Sequence, residues 1–61
     1  MLGRLREARR EACLTQAEVG RCLGVRQAFV SKLESGERRI DPVELARLAA
    51  IYRKALVWFL G

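Results

Sequence analysis

The most constraining feature of this chain is how closely helix-start and helix-stop signals follow one another between Thr15 and Gly36. Thr15-Gln16-Ala17-Glu18 has the form of a capping box, in which a Thr hydroxyl and a Glu carboxylate three residues on satisfy each other's backbone amides. Val19 and Leu23 then recur at i, i+4, and Gly24 supplies a residue that turns left-handed at little cost. Helical spacing resumes near Gln27, with Val30 and Leu33 as apolar anchors, and Gly36 ends it by the same device. Only Gly24-Val25-Arg26 joins the two pieces. Two helices this short are marginal alone, so each must bury its apolar side against the other and against the rest of the chain.

The flanking segments are helical too. Leu2, Leu5, Ala8 and Ala12 share one face of a first piece, with Arg4, Arg6, Arg10, Glu7 and Glu11 on the others. Asp41-Pro42-Val43-Glu44 places Asp at an N-cap, Pro in the first turn and Glu at the third position. Leu45, Leu48, Ala49 and Tyr52 then form an apolar stripe. The last piece, Ala55-Leu56-Val57-Trp58-Phe59-Leu60, is apolar on every side. Nothing alternates with period two between turn residues. The expected fold is all-α, with helices over 2–12, 16–23, 27–35, 42–52 and 55–60, forming a single domain over residues 1–61.

Size and charge narrow the function. A chain of 61 residues holds one thin core. The formal net charge is +5, and ten of the twelve basic residues are Arg, whose planar fork suits phosphates and guanine edges. There is no His. With no His, no metal-ligand cluster and no Ser or Cys beside an evident base, an enzyme is not expected. Cys13 and Cys22 lack the companions of a zinc site and are read as free thiols. No apolar run reaches the roughly 18 residues of a membrane span. The N-terminal residues do not form a signal peptide, so the expected location is the cytoplasm. No cofactor or small-molecule ligand is implied.

Two short helices joined by Gly24-Val25-Arg26, with Gly20 where they would cross, have the layout of a helix-turn-helix. Leu14-Thr15-Gln16-Ala17-Glu18-Val19-Gly20, Leu23-Gly24-Val25 and Val30-Ser31-Lys32-Leu33-Glu34-Ser35-Gly36 resemble the Cro/repressor (XRE-type) helix-turn-helix family, and the resemblance runs from about Leu5 to Leu60. It implies a five-helix, repressor-like DNA-binding domain that binds double-stranded DNA, commonly as a homodimer on a palindromic operator. By position, Gln16 matches a glutamine that contacts a DNA phosphate. Arg26, Gln27, Ala28, Ser31 and Lys32 match positions that face the major groove. Arg9 and Glu34 match a pair that, in some relatives, links the first helix to the end of the recognition helix. Arg38 and Arg39 fall in the loop that follows the DNA backbone, and Arg10 is assigned to phosphate with them.

Three positions depart from the family pattern. Cys13 stands where relatives carry Gly. Arg26 stands where Ser or Thr caps the recognition helix, which gives up about 0.5–2 kcal/mol of capping. Arg53-Lys54 replaces a turn that usually contains Gly.

Independently of the resemblance, an α-helix fits the major groove and its N-terminal residues reach base edges. Gln pairs with adenine, and Arg or Lys with guanine. Lys32 is open to a base, a phosphate or solvent alone. Phe29 either packs on the core, the expected arrangement, or meets a thymine methyl or a partner. The apolar last helix is expected to form a dimer interface through Val57, Trp58 and Phe59, with one of the two aromatics in the core and the other exposed. The competing function is a protein-interaction module, such as an adaptor or an antitoxin half.

Overall fold

The computed structural model describes the backbone of residues 2–60 and the side chains of residues 3–60. The elements are α1 (Leu2–Glu11), α2 (Gln16–Leu23), α3 (Gln27–Ser35), α4 (Pro42–Tyr52) and α5 (Leu56–Leu60), and no strand occurs among the described residues. The expected architecture is therefore present. Two boundaries move by one residue. α1 stops at Glu11 because the chain turns left-handed at Cys13, φ 58°. α5 starts at Leu56 because Ala55 sits outside it and accepts the first helical bond, from the Trp58 amide at 3.0 Å.

Both capping boxes form. The Thr15 hydroxyl accepts from the Glu18 amide at 3.1 Å, and the Glu18 carboxylate accepts from the Thr15 amide at 2.8 Å. Asp41 and Glu44 repeat the exchange at the start of α4, at 2.7 and 3.4 Å. Each box satisfies amides that an isolated helix end leaves bare.

Three helices end alike. After α2, the Gly24 amide donates to the Arg21 carbonyl and the Val25 amide to the Gly20 carbonyl, at 3.3 and 2.8 Å, with Gly24 at φ 76°. After α1, Cys13 donates to Arg10 and Leu14 to Arg9, at 3.0 and 3.1 Å. After α4, Arg53 donates to Ala50 and Lys54 to Ala49, at 3.2 and 2.9 Å, with Arg53 at φ 55°. This is the Schellman closure, which consumes two orphan carbonyls and requires a left-handed residue. The departures at Cys13 and Arg53 thus change the residue and keep the turn.

α2 and α3 pack most closely, and Gly20 permits it: a Cβ there would lie 2.8 Å from the Val25 carbonyl oxygen and 3.3 Å from the Arg26 carbonyl carbon. Side chains from all five helices meet in the core, where Leu5, Val19, Val30, Leu33, Leu48 and Phe59 are essentially sealed. The side chain of Leu2, expected on the same face as Leu5, lies outside the described residues. Arg47 of α4 donates to the Leu23 carbonyl at 3.2 Å, closing the end of α2 from outside the helix.

Phe59 corrects one expectation. It is 1% exposed, so it belongs to this chain's own core and offers nothing to a dimer interface. Its ring lies 5.0 Å from Trp58, edge to face, and 6.5 Å from Tyr52. Trp58 is half-buried, with the Arg4 guanidinium 4.8 Å and the Lys54 ammonium 4.6 Å from its ring centroid. Lys54 is itself held by Glu11 at 2.8 Å. Phe59 is the core member of the expected split, but Trp58 is not the exposed one: it packs against the core, half-buried, and cations of the same chain flank its ring. The fully presented side chains of α5 are Val57 and Leu60, 69% and 70% exposed, with Leu56 beside them.

Candidate nucleic-acid interface

The first turns of α2 and α3 come together through side chains. Gln27 Nε2 donates to Gln16 Oε1 at 2.6 Å. Gln16 Nε2 donates in turn to Glu34 Oε1 at 3.0 Å. The same carboxylate accepts from Arg9 twice, Nε to Oε2 at 2.7 Å and Nη2 to Oε1 at 3.2 Å. One relay of hydrogen bonds therefore ties α1, the end of α3, the start of α2 and the start of α3. A glutamine amide has a carbonyl acceptor and two N–H donors; Gln16 gives its carbonyl to Gln27 and one N–H to Glu34, which leaves one N–H.

Glu34 anchors this relay. It is 5% exposed, the buried charged residue of the described chain. Burial pushes its carboxyl up, but hydrogen bonds from Arg9 and Gln16 and the charges of Arg9 and Arg6 outweigh that, and the carboxyl is held below its usual value. Arg9 is shifted the opposite way: the hydrogen bond to Glu34 raises its pKa, so the guanidinium is firmly charged. Its third contact, Nη1 to the Leu14 carbonyl at 3.1 Å, fixes the plane of the group against the α1–α2 turn.

Arg6, Arg9, Thr15, Gln16, Ala17 and Gln27 line an open depression of about 620 Å³ beside this relay. Arg6 lies 3.8 Å from Glu34 Oε1 with its side chain half exposed. Its place here is not read from charge alone; the signal is its i, i+3 spacing to Arg9 on α1, which puts both on one side of the helix. Arg10 is exposed and does not line the depression.

The remaining positions form the outward side of α3. Arg26 is the N-cap residue, extended at φ −77° and ψ 156°, with no side-chain cap bond, so its guanidinium is not spent on the helix end. Gln27, Ala28 and Lys32 are exposed, and Ser31 is half-buried one turn after Gln27. Phe29 is half-buried and packs against the core, as expected. Arg38 and Arg39 are exposed in the connection after Gly36. The Arg38 guanidinium lies 4.3 Å over the Phe29 ring, and its amide donates to the Lys32 carbonyl at 3.3 Å. Gln16 and Arg38 are thus drawn to α3 by direct contact. Cys13 and Cys22 are exposed free thiols.

Among the described residues no helix is long and apolar enough to cross a membrane. No curated protein and no solved structure matches the chain. Residues 5–59 match the helix-turn-helix family model, a span that runs from within α1 to Phe59 in α5. A glycine-permitted crossing of α2 and α3, with the outward side of α3 left bare, is what that match describes in three dimensions, and the chain belongs to the Cro/repressor (XRE-type) helix-turn-helix family of DNA-binding regulators.

Proposed function

We propose that this domain binds double-stranded DNA sequence-specifically, as a homodimer on a palindromic operator, and represses transcription in the cytoplasm. The observation that carries this reading is the Gln27–Gln16 bond, 2.6 Å long and anchored through Glu34 to Arg9. It holds the first residue of the recognition helix against the first residue of α2. In the groove, Gln16 and the amides at the start of α2 meet a phosphate while Gln27 meets a base edge. Contacts to phosphate set register and contacts to bases select sequence, so a rigid link between one of each converts correct register into correct reading.

In this reading Arg26, Gln27, Ala28, Ser31 and Lys32 face the bases. Gln16, Arg10, Arg38 and Arg39 hold phosphates, and Arg6 joins them from the depression beside Gln16. The exposed Leu56, Val57 and Leu60 supply the dimer contact, in place of Phe59. Two recognition helices must then stand about 34 Å apart, one turn of DNA.

Selection from a pool of random duplexes, followed by titration in rising salt, tests this. The expected result is enrichment of a two-fold symmetric sequence and a log–log slope of about −0.9 for each phosphate held. Gln27→Ala is expected to weaken the selected duplex more than a scrambled one, and Arg39→Ala to weaken both alike. Affinity that stays flat with salt, or a Gln27→Ala variant that loses equally on both duplexes, overturns the corresponding assignment. A chain that enriches no duplex but captures a protein partner is the adaptor or antitoxin alternative.

A further inference from the structure

We infer that Phe29 is a positioning residue for DNA binding: its ring holds the Arg38 guanidinium beside the first turn of the recognition helix, where its N–H donors are left for a backbone phosphate. This rests on the DNA-binding reading above and goes beyond it, because Phe29 itself meets neither base nor phosphate. The geometry has three parts. Arg38 Cζ lies 4.3 Å from the ring centroid, within the range of a cation–π contact. Phe29 is the third residue of α3 and is packed on its inner side against the core, so the ring is a fixed platform. The Arg38 amide is tied to the Lys32 carbonyl at 3.3 Å, so the backbone that carries the guanidinium is held to the same helix.

The chemistry of a guanidinium over an aromatic ring follows. A cation–π contact uses the charge of the group and leaves N–H donors of the fork for other acceptors. Among the described residues no carboxylate pairs with Arg38. The nearest acid in sequence, Glu37, accepts instead from the Ser35 hydroxyl at 3.0 Å. Arg38 is therefore a charged fork whose centre is held over the ring, on a loop next to the groove-reading helix. A phosphate accepts from such a fork in two parallel bonds. A free arginine on a loop must first lose its rotamer freedom, and the Phe29 ring removes part of that loss before DNA arrives. Arg39, one residue on and without such a platform, is a phosphate contact of the ordinary flexible kind.

The test uses the full chain in fluorescence anisotropy. The probes are the duplex recovered by selection with the wild type and a scrambled duplex of equal length. Phe29→Leu keeps an apolar side chain on the core and removes the ring, and Phe29→Met does so with a more adaptable side chain should Leu pack poorly. Thermal melts confirm that each variant is folded. Loss of the platform is expected to weaken both duplexes by about two- to five-fold. Arg38→Gln is expected to weaken both and to reduce the salt slope by about 0.9. In the Arg38→Gln background, Phe29→Leu is expected to change nothing further, and Phe29→Tyr alone is expected to bind like wild type. A folded Phe29→Leu with unchanged affinity, or one that loses as much with Arg38→Gln as without it, overturns the inference while leaving the DNA reading intact. A wild type that recovers no duplex in the selection removes both.

Discussion

Arg9 and Glu34, one on the first helix and one near the end of the third, share two hydrogen bonds at 2.7 and 3.2 Å, and the acceptor is almost wholly buried. The arginine is the more exposed partner, with its side chain 15% accessible against 2% for the glutamate. Removing the arginine therefore leaves the worse orphan. Arg9→Met is expected to cost about 3 kcal/mol, as breaking a buried pair does. That is a large share of the few kcal/mol a domain this small holds. Replacing both, as Arg9→Met with Glu34→Leu, is expected to recover much of the stability, because two apolar side chains need no partner. DNA affinity should not recover with it, since Gln16 loses its anchor. Urea melts and anisotropy on the same variants separate the two effects.

The same pair sets a pH dependence. The fold holds the Glu34 carboxyl below its usual value of 4.5, so the unfolded chain takes up the proton first as pH falls. The stabilisation is fully present above the usual value and is lost as pH drops through the lower, folded one. Glu18, held down by the Thr15 amide, acts in the same direction. Tyr52 acts at the other end: burial pushes its phenol up to about 12 from 10.0. Above 10.0 the unfolded chain releases that proton first, so stability declines until the folded phenol also ionises. Melting temperature against pH should show a plateau with two shoulders. Glu34→Gln should flatten the acid limb and Tyr52→Phe the alkaline one.

Gly20 and Gly24 should fail for different reasons. At Gly20 an added Cβ meets backbone atoms at 2.8 and 3.3 Å, and backbone cannot swing aside. Gly20→Ala is expected to cost about 1–3 kcal/mol as an overpacked contact and to change the angle between α2 and α3. At Gly24 nothing lies within 4 Å, but φ is 76°. Gly24→Ala is expected to cost about 1–2 kcal/mol from the left-handed backbone alone and to leave the crossing unchanged. DNA affinity corrected for the folded fraction distinguishes them: it falls for Gly20→Ala and holds for Gly24→Ala.

Cys13 and Arg53 occupy left-handed positions that glycine occupies at no steric cost. Cys13→Gly and Arg53→Gly are each expected to stabilise the domain by about 0.5–1 kcal/mol, the relief of the backbone less the added freedom of the unfolded chain. The two turns lie side by side, joined by the Lys54–Glu11 ion pair at 2.8 Å, so the double variant should depart from the sum by the coupling between them. A loss of stability at either site would show that the side chain contributes more than its backbone costs.

At the C-terminus, Phe59→Ala is expected to destabilise the monomer by about 3–5 kcal/mol, since the ring is sealed in the core. Val57→Glu and Leu60→Glu, at positions about 70% exposed, should leave the melt of the monomer nearly unchanged. In sedimentation they should abolish dimer formation. A wild type that remains monomeric at tens of micromolar, free and on DNA, would remove the C-terminal interface.

The residue sequence determined the helices, because the signals for them are local. Thr15 with Glu18, and Asp41 with Glu44, each close a capping box within one turn, and Gly24 and Gly36 need only their own backbone freedom. The helix-turn-helix was legible for the same reason, and Arg9 with Glu34 through the family pattern. What lies across the chain was decided by the tertiary structure. Phe59 and Val57 are equally apolar in sequence, yet only the packing of α5 against α4 puts the first in the core and leaves the second in water. Arg6 and Arg10 are alike until Gln16 is brought beside one of them. Cys13 and Arg53 carry no sign of a left-handed turn in their residue type; the Schellman bonds of the folded helices impose it. Arg38 looks like any loop arginine until the connection after Gly36 lays it on Phe29. Local preference is a property of a few neighbouring residues, whereas burial and partnership depend on which distant surfaces exclude water together.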